Sequence, residues 1–204
     1  MDQAVSIHSL DYLLMVLLLA FARGMDFLST WVATPNLVLE GNPIAKKLGW
    51  GWGALLNVAM CLVFARWPAI AIAFSTTSLL VAARNFQSAW LMRSLGEEIY
   101  RDWHVARIQE TRLSTYLLCL AGNTLLTAFV GFALLYFGDY QLIPCSIGMG
   151  IIAYAIAVAF YSLLAFYRIR RSGSRFRQRK IIQPSIKDDF LNRALNPENS
   201  GETR

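Results

Sequence analysis

The chain has 204 residues, of which 56% are apolar and only 16% charged, and its mean hydropathy is +0.43. Soluble domains carry about 25% charged residues, so this composition excludes an ordinary soluble domain. The net charge of +6 does not mark a nucleic-acid binder, because the excess follows the last apolar block directly. Arg168, Arg170, Arg171, Arg175, Arg177, Arg179 and Lys180 stand there with no acidic residue among them. Such a juxtamembrane cluster holds the cytoplasmic end of a helix and attracts anionic lipid.

The apolar residues fall in long blocks, each ended by a short polar or Gly/Pro break. This pattern predicts an all-α, polytopic transmembrane helix bundle of about five spans. The first covers Leu10 to Ala33; no basic n-region or small-residue cleavage site precedes it, so it is expected to be retained. The second covers Pro43 to Arg66 and the third Pro68 to Leu91. Pro68 suits the first turn of a new helix, where its missing N–H costs nothing. The fourth covers Leu113 to Phe137 and the fifth Leu142 to Tyr167. A membrane domain thus occupies 1–167, and 168–204 form a basic cytoplasmic tail expected to be partly disordered.

Loop charges orient the bundle. Lys46 and Lys47 follow the first span, and Arg93, Arg101, Arg107 and Arg112 lie between the third and fourth. The N-terminus and the turn Gly138 to Gln141 carry no basic residue, and Arg66 alone falls on their side. The positive-inside rule then puts the N-terminus out and the C-terminus in. Between the third and fourth spans, Glu97/Arg101 and Glu98/Arg101/Asp102 have the spacing of solvated ion pairs on a short surface helix. Cys61, Cys119 and Cys145 sit inside apolar blocks and read as small hydrophobes.

The informative residues are the polar ones inside the spans. At about 1.5 Å of rise per residue, Arg23 and Asp26 lie roughly 18 and 22 Å from the outer end of the first span, and Arg84 about 24 Å from that of the third. With Asn57, Asn85 and Asn123 they share a slab from the midplane to the inner leaflet. Arg23, Asp26 and Thr30 lie on one helix face, as do Thr77, Arg84 and Ser88, with Ser78 and Asn85 close by. Intramembrane charge costs about 2.5–3.5 kcal/mol per residue on insertion scales, so it marks pairing or function. The structural account pairs Asp26 with Arg23 in one helix or with Arg84 across helices. The functional account is a ligand site made of Arg23, Asp26, Thr30, Glu40, Asn42, Arg84 and Asn85. In Glu40-Gly41-Asn42-Pro43, Asn42 can cap a helix that starts at Pro43; Glu40 is not needed for the cap and can lean toward Asp26.

Asp26-x-x-Ser29-Thr30 followed by Glu40-x-Asn42-Pro43 resembles the first hairpin of a family of small prokaryotic multi-spanning membrane proteins with no assigned function. The resemblance covers about Arg23 to Lys47. It implies that Asp26, Glu40, Asn42 and Pro43 act together in a prokaryotic cytoplasmic (inner) membrane, and it brings no reaction with it. The sequence departs from that family in its extra spans, Arg23 and the long basic tail.

Three functions compete. The polar slab can hold a phosphate-bearing lipid through its arginines, or Mg²⁺ or Mn²⁺ through Asp26 and Glu40. A small transporter or channel also uses midplane charge, although no inverted repeat is visible. An assembly or scaffold protein, including a homo-oligomer, would use the small-residue pairs Ser146/Gly150, Ala153/Ala157 and Ala155/Ala159. No catalytic residue is named, because G-x-S-x-G, H-E-x-x-H, a phosphate loop and C-x-x-C are all missing. His8 and His104 read as surface and interfacial residues.

Overall fold

In the computed structural model, the described residues are 4–38 and 43–195, with side chains described at 4–38, 47 and 49–171. They form α1 (Leu10–Ala33), α2 (Pro43–Phe64), α3 (Pro68–Leu95), α4 (Glu97–Glu110), α5 (Leu113–Phe137) and α6 (Leu142–Leu195). Four helices are long and apolar enough to cross a membrane: α1, α3, α5 and the Leu142–Arg171 part of α6. Their outer faces are apolar, as in a helical membrane protein: Leu118, Leu126 and Phe129 on α5 are 74%, 71% and 72% exposed. α2 is different. Gly49, at φ 66° and ψ −172°, breaks it, a conformation that costs glycine little. The apolar helix beyond the break is the shorter Gly49–Phe64.

Helix contacts give a lateral order. α3 packs most extensively on α1 and also on α6, α6 packs on α5, and α2 touches α1 and α3 more lightly. Contacts between α1 and α2 run in opposite directions along the two helices. The Tyr12 hydroxyl donates to the Leu62 carbonyl at 3.0 Å, Arg23 meets Asn57 at 2.7 Å, and the Phe27 and Trp50 ring centroids are 4.8 Å apart. Trp50 Nε1 donates to the Pro35 carbonyl at 3.0 Å. From Trp50 to Leu62, α2 is therefore antiparallel to α1. α1 and α3 run parallel: Arg23 meets Ser78, Ser29 and Thr30 meet Asn85, and Arg93 lies over the Trp31 ring.

α6 lies between α3 and α5 because two glycines let backbones touch. A Cβ on Gly148 would fall 2.6 Å from the Gly131 carbonyl oxygen of α5, and one on Gly150 would fall 2.5 Å from the Ala73 carbonyl oxygen of α3. Without a hydrophobic driving force between helices in lipid, such close packing supplies much of the association. Thr77 Oγ1 also donates to the Gly150 carbonyl at 2.9 Å. Ser146 and Ala155 are buried as well, so much of the small-residue face of α6 is occupied inside this chain. The helix α6 itself continues through the basic segment to Leu195.

Substituting Gly150→Val should lower stability by about 1–3 kcal/mol through overpacking against α3. Thermal unfolding in detergent measures it. Gly24→Ala is the control, because an added Cβ at Gly24 meets nothing within 4 Å; a gain of up to about 1 kcal/mol from helix propensity is expected there.

Candidate functional site

Arg23 is the centre of the polar layer. Its Nε donates to Asn57 Oδ1 of α2 at 2.7 Å. Its Nη1 donates to Asp26 Oδ2 at 2.9 Å and to Ser78 Oγ of α3 at 3.0 Å. One guanidinium thus joins three helices through side-chain oxygens, with side-chain exposures of 25% for Arg23 and 18% for Asp26. Asn57 is held in turn, since its Nδ2 donates to the Gly53 carbonyl at 2.9 Å.

A second group continues the layer one turn along α1. The hydroxyls of Ser29 and Thr30 donate to the Asp26 carbonyl at 2.8 and 3.0 Å. Asn85 Nδ2 of α3 reaches Ser29 Oγ and Thr30 Oγ1, each at 3.3 Å. Interhelical hydrogen bonds in membranes contribute about 0.6–2 kcal/mol each. Arg23, Asp26, Thr30 and Asn85 are therefore brought together, with Asn57, Ser29 and Ser78 completing the set.

Arg84 is not in this layer. Ser78 and Asn85 face α1, whereas Thr77, seven residues before Arg84 and so on the same helix face, bonds α6. Arg84 is exposed, and its guanidinium makes no hydrogen bond or ion pair among the described residues. On α5, the Tyr116 hydroxyl donates to the Ser162 carbonyl of α6 at 3.1 Å. Asp26 pairs with Arg23 and not with Arg84. Glu40 and Asn42 lie outside the described residues, as does the Gly41 between them. Among the described residues, no three of His, Cys, Asp and Glu gather as metal ligands do.

Sequence reasoning missed a further carboxylate. Glu97, the first residue of α4, accepts from Thr34 Oγ1 at 2.8 Å, from the Asn36 amide and side chain at 3.1 Å each, and from the Val38 amide at 3.2 Å. Leu37, at φ 54°, lies between the two donating amides. Burial alone would raise the Glu97 carboxyl; the donors from Asn36, Thr34 and Val38 more than offset it and hold the group below the ordinary carboxylate range. Gly96, at φ 79° and ψ 151°, turns the chain from α3 into α4 in a region essentially reserved for glycine. The expected Glu97/Arg101 pair is not formed: Arg101 pairs with Glu98 at 2.6 Å and Asp102 at 3.1 Å. The signal available was an acidic residue at a helix start directly after glycine.

The other end of α4 is also fastened. Arg170 of α6 donates to the carbonyls of Ile108 and Thr111, where a helix C-terminus favours a cation. Its guanidinium lies 4.9 Å from the Phe166 ring centroid. At least this member of the basic cluster binds protein.

Two outcomes follow. Asp26→Ala leaves Arg23 without its carboxylate and should lower stability by about 1–3 kcal/mol, whereas Arg23→Met with Asp26→Leu should recover part of the loss, as for other ion pairs replaced together. Glu97 is charged more readily in the folded chain, so its contribution is full above the unfolded carboxylate value and is lost as pH falls through the lowered folded one. The difference in melting temperature between the parent and Glu97→Gln should therefore be largest near neutral pH and close in acid. Comparison with family models, curated proteins and solved structures finds no match for this chain.

Proposed function

We propose that the chain is a five-crossing protein of the cytoplasmic membrane, N-terminus out and tail in, that holds a phosphate-bearing lipid headgroup at Arg84. The fifth crossing is α2. Support comes from the parallel run of α1 and α3, which requires the intervening chain to return, and from the contacts of α2 along α1. The apolar part of α2 is short, at about 24 Å for its helical rise against about 30 Å of hydrocarbon. The orientation rests on Arg93, Arg101, Arg107, Arg112 and the basic cluster, which all fall at the α4 end.

The observation that carries the lipid reading is the different standing of two arginines. Arg23 is committed to Asp26, Asn57 and Ser78. Arg84 has no acidic partner among the described residues and lies on the face of α3 that carries Thr77, which bonds α6. α5 packs on α6, and its backbone does not approach that of α3 among the described residues. A guanidinium in the inner half of a bilayer seeks an anion or the interface. Lipid phosphate is the abundant anion there and suits its planar donors. Asp26 and Arg23 then serve the architecture beside the site and not the ligand.

Native mass spectrometry of the full chain, purified in mild detergent with added phosphatidylglycerol, tests the reading. The parent and Arg84→Lys should retain phospholipid under activation that strips it from Arg84→Ala, with the basic tail present in all three. Equal retention in Arg84→Ala would overturn it.

A further inference from the structure

We infer that α4 lies in the plane of the membrane surface, with Ile99 and Trp103 inserted into the headgroup layer of the leaflet at that end. The constraint comes first from connectivity. Gly96 alone separates α4 from the membrane-crossing α3, and Thr111 and Arg112 alone separate it from α5. A helix of 14 residues, about 21 Å long, tied this closely to two spans cannot stand away from the bilayer. Glu97 and Arg170 pin its two ends to the α1–α2 loop and to α6.

The distribution of side chains around α4 then divides it into three sectors. Ile108 faces the protein and is 6% exposed. Glu98, Asp102 and Gln109 share a second sector at helical spacing, and Arg101 bridges Glu98 and Asp102, as on a face in water. Ile99, Trp103 and Ala106 fall within about 60° of arc on the side away from Ile108. Ile99 is 64% exposed and Trp103 46%. Two large apolar side chains one turn apart, on a helix bounded by span ends, meet lipid at the depth where tryptophan is enriched. Arg107 borders this stripe and pairs at 2.7 Å with Glu110, which falls within its arc at the C-terminal end of α4; a long basic side chain there can reach lipid phosphate while its stem covers apolar surface. The occupant is thus the lipid interface, which continues the apolar surface of α3 and α5.

The full chain in nanodiscs of phosphatidylcholine and phosphatidylglycerol provides the test. Ile99→Cys and Asp102→Cys are labelled with a membrane-impermeant maleimide, the parent supplying the background from Cys61, Cys119 and Cys145. Labelling at position 102 should be at least tenfold faster than at 99. Separately, the chain carrying 5-fluorotryptophan is read by fluorine NMR, with Trp103→Phe assigning one resonance. A headgroup-depth nitroxide lipid should broaden that resonance more than an aqueous gadolinium chelate does. Equal labelling rates would overturn the inference. So would slow labelling at 99 without broadening by the nitroxide lipid, because protein and not lipid would then cover the stripe.

Discussion

A guanidinium inside a bilayer has to be neutralised and hydrogen-bonded where it stands, and Arg23 sets that requirement for the whole bundle. Water is not available to complete its donors, so oxygens must come from protein. α1 supplies Asp26, α2 supplies Asn57 and α3 supplies Ser78. These contacts fix rotation as well as distance: if α3 turned by one residue, Ser78 and Asn85 would leave α1 together. The more lightly packed α2 shares this task with apolar contacts, Trp50 against Phe27 of α1 and Phe64 against Phe74 of α3.

The remaining helices are arranged by a different means. α6 approaches α3 and α5 through Gly150 and Gly148, where shape and backbone contact replace polar pairing. The bundle thus has a polar half, α1–α2–α3, and a close-packed half, α3–α6–α5, with α3 common to both. At the α4 end the two halves are tied by one surface helix. Glu97 holds it to the loop after α1, and Arg170 holds it to α6. A charge of α4 itself, held by the loop after α1, and a charge on α6 therefore fasten the two ends of the same 14-residue element.

Much of this was legible in the sequence, for physical reasons that differ by element. Hydropathy and the flanking breaks set α1 and α5 at Leu10–Ala33 and Leu113–Phe137, and Pro68 set the start of α3, as observed. The Arg23, Asp26 and Thr30 face was legible because an i, i+3, i+7 pattern of polar residues in an apolar helix has one meaning in lipid. Glu97 was not, because local spacing offered Arg101 as a partner, and its real partners are loop amides far away in the chain. Nor was the break at Gly49, since glycine occurs freely in transmembrane helices. Lateral order was hidden too: apolar faces toward lipid and toward neighbouring helices have much the same composition.

Arg23 and Arg84 show why depth alone does not assign a role. Sequence spacing gives both a similar depth along their helices, and both helices are otherwise rich in apolar residues. What separates them is helix face. Seven residues after Ser78 comes Asn85, and both meet α1; seven residues after Thr77 comes Arg84, on the side where α3 meets α6 through Gly150. The α6 backbone comes close there because glycine carries no side chain, and so it brings a carbonyl to Thr77 but no carboxylate to Arg84. The close packing of α6 on α3 thus leaves Arg84 without a carboxylate partner among the described residues. The two arginines, one on α1 and one on α3, thus stand in different settings, and on α3 a one-residue difference in register separates the face that meets α1 from the face that meets α6.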